Sequence, residues 1–468
     1  MNFIIAAIAI VYLIICGFGL IKILLKDNIP FSFFGLIPLC FGAGLGILAV
    51  LSNLIMLLGL RLSFITLYLP LFLIFCYALS QIKIKKTYKI NDLIQTIKGI
   101  SVIEWFLISI VIFGAASVFL LSVDFPMHFW DSRAIWAAKA KMLYYSGTVY
   151  SSDFMDPNRI HAHFRYPLLF PVSQAFIYFG LGRVDDWAVM VLIGMFFPCL
   201  ISFLFDITRI YLNDREKGLI AAALVSVLPL FFLSEGPAYS GFADTPLSML
   251  YCLSFGVILL WKRNNDQGHL LLASFLTAFL LLTKNEGINL ILLNLLLIVM
   301  PEKLKLSIQE IKSIIKNLII VLTVVIVIIA PWLTLGHSIV SEKDINDITA
   351  LNPTIIFANL TQLPTVISYT CNVLIGIQKN MLDKGFLWGG LWLIFIFSSI
   401  ISIKYGATKS INMFIVILCN FIIISLGYIV MGGNAVEGMN ANVFRLYCAI
   451  TPIVAFQIVT TLKALEGK

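Results

Sequence analysis

The chain has 468 residues, of which 60% are hydrophobic and 12% charged, and it carries a formal net charge of +8. With a mean hydropathy of +1.00, apolar stretches of about 20 residues recur from end to end, which excludes an ordinary soluble domain and marks a polytopic membrane protein. The positive balance does not argue for nucleic acid, because Lys and Arg sit in short loops between apolar runs, as the positive-inside bias requires.

The first run, Asn2 to Leu25, is too long for a secretory h-region and lacks a basic n-region and a small-residue cleavage site, so it reads as a retained first span. Apolar runs and their polar punctuation then predict spans near 2–25, 34–59, 63–81, 102–122, 186–206, 218–234, 246–261, 269–283, 286–300, 318–336, 386–403, 411–431 and 443–462. The expected fold is all-α, a bundle of about thirteen transmembrane helices.

A further apolar run, Tyr166 to Gly182, would flip every later loop if it crossed, placing Arg209, Arg215 and Lys217 outside. Read instead as a juxtamembrane or re-entrant helix interrupted by Pro167 and Pro171, it leaves every basic loop on one side: Lys83 to Lys98, Arg209 to Lys217, Lys262-Arg263, Lys303 to Lys316 and Lys404 to Lys409. That side is expected to be the cytoplasm. The other face then carries two long loops, about 123–185 and 337–385, and shorter ones at Glu235 to Asp244, Lys284 to Glu286 and Gly433 to Asn442. Three parts follow: N-terminal helices over 1–101, a core over 102–336 that includes the first long loop, and the second loop with the C-terminal helices over 337–468.

Seven of the eight cysteines lie inside apolar runs, and no pair has metal-ligand or redox spacing. Neither a Walker motif nor a Gly-rich phosphate loop is present, which argues against ATP-driven transport.

Ionisable residues at membrane depth are costly and therefore informative. In Asp124-Phe-Pro-Met-His-Phe-Trp130-Asp131-Ser-Arg, Asp131 is placed either to act as a general base toward an acceptor hydroxyl or to cap the following helix. The spacing of Ile135, Trp136, Leu143 and Tyr144 predicts interfacial helices, with Trp130 and Trp136 as headgroup-level anchors. His128, His161 and His163, three of the five histidines, share this loop with Arg159 and Arg165. Such a cluster suits a phosphate, a metal ion or a sugar hydroxyl, with a solvated loop as the alternative, and His163 and Arg165, just before Tyr166-Pro167, are the best placed of it.

Asp244 in Gly241-Phe-Ala-Asp-Thr-Pro246 sits at the mouth of a span, as a ligand-binding carboxylate or as an N-cap. Thr283-Lys284-Asn285-Glu286-Gly287 interrupts the apolar stretch from His269 to Met300 and predicts a break within the membrane. There Lys284 either pairs with Glu286 or neutralises an anion. Arg445, early in the last span, has a planar fork suited to phosphate oxygens, with snorkelling to the interface as the alternative.

Taken in order, Phe129-Trp130-Asp131 to Lys141, His163-Phe-Arg-Tyr166-Pro-Leu-Leu, Phe242-Ala-Asp244-Thr-Pro, Leu282-Thr-Lys284-Asn-Glu286-Gly and Arg445-Leu-Tyr resemble the GT-C superfamily of integral membrane glycosyltransferases. The likeness runs over about 102–462 and is greatest to bacterial relatives of the protein O-mannosyltransferases and lipid A aminoarabinose transferases. It implies a multi-pass enzyme of the cell inner or plasma membrane. Such an enzyme passes a sugar from a polyprenyl-phosphate donor lipid to an extracytoplasmic acceptor, usually with inversion.

Under that resemblance Asp131 is the base and Lys284, Arg445 and Arg165 hold the donor phosphate. His163, Asp244, Glu286 and Trp130 are the substrate-binding candidates. Asp244 matches an acidic position that helps hold a metal in oligosaccharyltransferase relatives. Here it has no second acid nearby in sequence, so no obligatory cofactor is expected and a divalent metal is left open. The mannosyltransferases carry an adjacent Asp-Glu pair where this chain has Asp131-Ser132, so the resemblance does not name the sugar.

Three other readings compete: a transporter or flippase for a lipid-linked glycan, a polymerase or ligase using diphosphate-linked donors, and a structural anchor. A transporter should present charge near mid-membrane and to both openings. Here the candidate residues gather at one face.

Overall fold

In the computed structural model, residues 1–82, 99–154, 156, 158, 162–234, 236–301, 307–339, 359–375, 386–406, 408–430 and 443–466 are described. The expectations for the Lys83 to Lys98 loop, Arg159, His161, Glu235 and Gly433 to Asn442 therefore lie outside the described residues. So does most of the loop 337–385.

Among the described residues the protein is entirely helical. In chain order the helices are α1 (Asn2–Leu25), α2 (Phe33–Leu57), α3 (Phe64–Ser80), α4 (Val102–Asp124), α5 (Ala138–Ser146), α6 (Leu169–Leu181), α7 (Met190–Leu212) and α8 (Arg215–Ser226). There follow α9 (Asp244–Asn264), α10 (Gln267–Thr283), α11 (Gly287–Val299), α12 (Ile308–Ile339), α13 (Leu363–Ile375), α14 (Leu391–Lys404), α15 (Thr408–Val430) and α16 (Thr451–Glu466).

Among the described residues, eight segments are long and apolar enough to cross a membrane: α1, α2, α4, α7, α8 extended to Leu233, α9, α12 and α15 over Ser410–Gly427. This is a helical membrane protein, but length and composition qualify eight helices rather than the thirteen expected. The shortfall has local causes. The stretch His269 to Met300 is split by the Lys284 turn into helices of 17 and 13 residues. The last span is broken at 449–450, so that 443–448 and α16 are separate helical pieces. The Tyr166 to Gly182 run forms α6, of 13 residues, most of them buried.

The helices share two ends. At one, Asn2 at the start of α1 bonds Asp185 ahead of α7 at 2.5 Å, and the Leu62 amide bonds the Gly147 carbonyl at 2.6 Å. At the other, Arg263 reaches the Ile210 carbonyl at 2.8 Å and Lys463 reaches Asp214 at 2.8 Å. The N-terminal helices belong to the same bundle, since α2 packs on α7, α10 and α12. Its centre is α9, buried at every residue from Asp244 to Trp261. Its apolar residues lie all round, the pattern of a helix that must be enclosed on every side.

Candidate functional site

The site lies where α9 begins, at the end of the bundle that also holds Asn2 and Gly147. Gly241, at φ +82°, makes the left-handed turn that lets the chain enter α9 after Phe242. The N-cap is Ala243, without a side-chain cap, so Asp244 is not the cap. Its carboxylate, 3% exposed, instead accepts from Lys284 Nζ at 2.9 Å on one oxygen and from Arg445 Nε at 2.9 Å on the other. Placement in the first turn also sets it against the positive end of the helix dipole.

Lys284 ends α10 in extended conformation, and Gly287 starts α11 where a Cβ would lie 2.2 Å from the Leu280 carbonyl oxygen. Only glycine permits a reversal this tight. Within it Lys284 Nζ also meets Glu286 Oε1 at 3.1 Å, so the local ion pair of the first reading exists, and the same lysine lines a cavity.

Asp131 lies at the head of a helical segment wound as a π-helix over Ser132–Ala137 before α5. Wide turns of this kind concentrate at functional sites because they re-aim side chains. Asp131 makes no side-chain cap; its carboxylate accepts from Arg445 Nη1 at 2.7 Å. The Arg445 guanidinium lies 4.7 Å over the Phe242 ring, so it does not snorkel outward.

The result is an alternating chain, Asp131–Arg445–Asp244–Lys284–Glu286, drawn from four separate stretches of sequence. Three carboxylates face two cations, a formal net charge of −1. It borders a cavity of about 370 Å3 lined by Trp130, Asp131, His163, Tyr166, Lys284, Glu286, Asn289 and Arg445, with apolar Ile135, Ile424 and Leu446 between them.

The structure corrects the sequence reading at Trp136. Trp136 is not an interfacial anchor: it is fully buried, stacked on Tyr166 with ring centroids 5.4 Å apart, and forms the cavity floor. Trp130, 62% exposed, does stand at the mouth. Arg165 is part-buried in the same turn as His163 and Tyr166 but does not line the cavity. His128 is exposed and likewise outside it.

Two residues passed over by sequence reasoning support this wall. Lys139, fully buried, donates to the carbonyls of His163 at 3.2 Å and Tyr166 at 3.4 Å and lies 4.7 Å over Trp136. Burial holds its ammonium well below the usual lysine range. Burial likewise pushes the Tyr166 hydroxyl up to about 12, so it stays protonated as a hydrogen-bond donor. Asn289 completes the wall from α11. A lysine between aromatic residues and a polar residue in an apolar run were the available signals.

Among the described residues no three His, Cys, Asp or Glu side chains lie so as to hold a metal ion, and both Asp244 oxygens are engaged by cations. Comparisons with protein-family models, curated proteins and solved structures find no match.

Proposed function

We propose that the protein is a membrane glycosyltransferase of GT-C type that transfers a sugar from a polyprenyl-phosphate donor to an acceptor hydroxyl. The observation that carries this reading is the convergence of a part-exposed carboxylate, Asp131, with a part-buried cation, Arg445, and a buried one, Lys284, on a single cavity at one end of the bundle. The five shorter pieces α3, α10, α11, α14 and the broken last helix, added to the eight long ones, make about thirteen passes, with α6 lying re-entrant. Lys26, Arg209, Arg215, Lys262, Arg263 and Lys404 then sit at the end away from the cavity, which the positive-inside bias puts in the cytoplasm, so the cavity opens on the extracytoplasmic side.

In the proposed reaction the acceptor oxygen attacks the anomeric carbon from the side opposite the phosphate. Asp131 takes the hydroxyl proton, the glycosidic C–O bond to phosphate breaks, and the electron pair leaves on the phosphate oxygen. Arg445 and Lys284 offset the charge that grows there, fixed in place and partly screened from water by the aromatic wall. No metal is required by this scheme.

A donor phosphodiester would add a second negative charge to a site already at −1, so it must compete with a carboxylate for Arg445. Asp131, with a side chain 23% exposed, is the easier partner to displace than Asp244 at 3%. Donor binding would thus release Asp131 from its ion pair and make it available as the base. The test is transfer from a panel of radiolabelled polyprenyl-phosphate sugars in membranes carrying the protein. Transfer from monophosphate donors supports the reading, and transfer from diphosphate-linked donors alone moves it to a polymerase or ligase.

A further inference from the structure

Behind Lys284, Glu286 and Arg445 the cavity narrows into an inner recess with free volume of about 10 Å3, closed by Leu247, Leu290, Asn420 and Ala449. That is room for one water-sized group. Two polar atoms of side chains that border this recess, each almost without accessible surface of its own, have no hydrogen-bond partner among the described residues: Glu286 Oε2, an acceptor, and Asn420 Nδ2, a donor.

Asn420 is 1% exposed in the apolar run of α15, where a leucine would cost nothing in desolvation. A buried amide with an unmade bond carries a penalty that packing alone does not explain. Asn294 in α11 shows the contrast, since its Nδ2 is held by the Ser254 and Thr277 hydroxyls at 2.8 and 3.0 Å.

Resting on the donor reading above, we infer that the recess is where the enzyme reads its sugar, taking a single ring hydroxyl that donates to Glu286 Oε2 and accepts from Asn420 Nδ2. The two cations border both the main cavity and the recess, so a sugar on a phosphate held by them stands at the recess mouth. Among common sugar substituents only a hydroxyl both donates and accepts within this space. A deoxy position leaves both protein atoms unpaired, an ammonium cannot accept from the amide, a carboxylate meets Glu286 with like charge, and an N-acetyl group exceeds the volume. The donor class is therefore a sugar with a free hydroxyl at the position that faces Asn420; the recess sets no condition on the other ring positions.

The experiment is equilibrium binding to the full chain in lipid nanodiscs, comparing bare polyprenyl phosphate with polyprenyl-phosphate glucose, galactose, mannose and arabinose. Wild type and Asn420→Leu are compared, with Asn420→Ser as a smaller variant and thermal melting of each as the folding control. The wild type is expected to bind at least one sugar-bearing lipid about tenfold or more tightly than the bare phosphate, the scale of two well-made hydrogen bonds. That advantage is expected to vanish in Asn420→Leu, return in part in Asn420→Ser, and fall in the wild type for the corresponding deoxy sugar, while affinity for bare polyprenyl phosphate stays level. An equal sugar advantage in wild type and Asn420→Leu overturns the inference and leaves the recess to a water molecule, with the donor reading intact. Failure of the wild type to bind any of these lipids overturns the donor reading and this inference with it.

Discussion

The two ends of the bundle both carry ion pairs, and they are built differently. At the far end Glu104–Arg215, Asp214–Lys463 and Lys217–Glu466 each join a carboxylate to a cation across helix ends, with Arg215, Lys463 and Glu466 well exposed. Such pairs fasten helices where water shares the charge, and each contributes little. At the near end five charges form one continuous chain beside a cavity, with Asp244 and Lys284 almost wholly buried. Removing charges from water on this scale is a poor way to gain stability. The far end is explained by helix fastening, whereas the near end borders a cavity and is where the proposed function places its substrate.

Substitutions at the two ends should separate these roles. The largest effect is expected from Asp244→Leu, which leaves Lys284 and Arg445 without their shared counter-ion. Breaking a buried pair in this way costs about 3–5 kcal/mol, so the detergent-solubilised variant should melt far below wild type or fail to purify as a single species. Arg445→Lys keeps the charge but loses the fork that spans Asp131 and Asp244. Transfer should fall by about 10^2-fold, as for loss of one preorganised donor, with a much smaller change in melting.

Lys139→Met tests the wall rather than the charges. Its loss should loosen the His163–Tyr166 turn and raise KM more than it lowers kcat. Burial lowers the Lys139 pKa in the folded protein, so above that value the unfolded chain binds more protons and stability rises with pH up to the ordinary lysine range. Melting curves from neutral to alkaline pH should therefore show wild type gaining on Lys139→Met as pH rises; a constant gap would contradict a depressed lysine. The smallest effect belongs to the far end: Glu104→Gln should cost about 1 kcal/mol or less and leave transfer unchanged. A transfer defect there would erase the distinction between the two ends.

Much of the near end was legible because charge inside an apolar run is conspicuous. Asp131, Asp244, Lys284, Glu286 and Arg445 each stood out singly in the sequence, and the fold joins all five. What the sequence lacked was burial. Trp136 has the spacing of an interfacial anchor, and only the packing of Tyr166 and Phe170 over it turns it into a floor. Asn289 and Asn420 are neutral and isolated in runs that read as ordinary spans, so their shared recess is visible only when α11 and α15 are brought together. Span length was less legible: the break at Lys284 is visible in the sequence, but the helices on either side come out at 17 and 13 residues, too short to qualify as spans by length alone.

The central claim is that Asp131 is the base of a sugar transfer run at this cavity. The most direct measurement is transfer from radiolabelled polyprenyl-phosphate sugars by wild type and Asp131→Asn in membranes at matched expression, with melting curves of both purified proteins. Asparagine can still accept the Arg445 hydrogen bond, so the fold should persist while transfer drops by about 10^2–10^4-fold, the usual scale for a lost general base. Equal transfer by the two proteins would contradict the account.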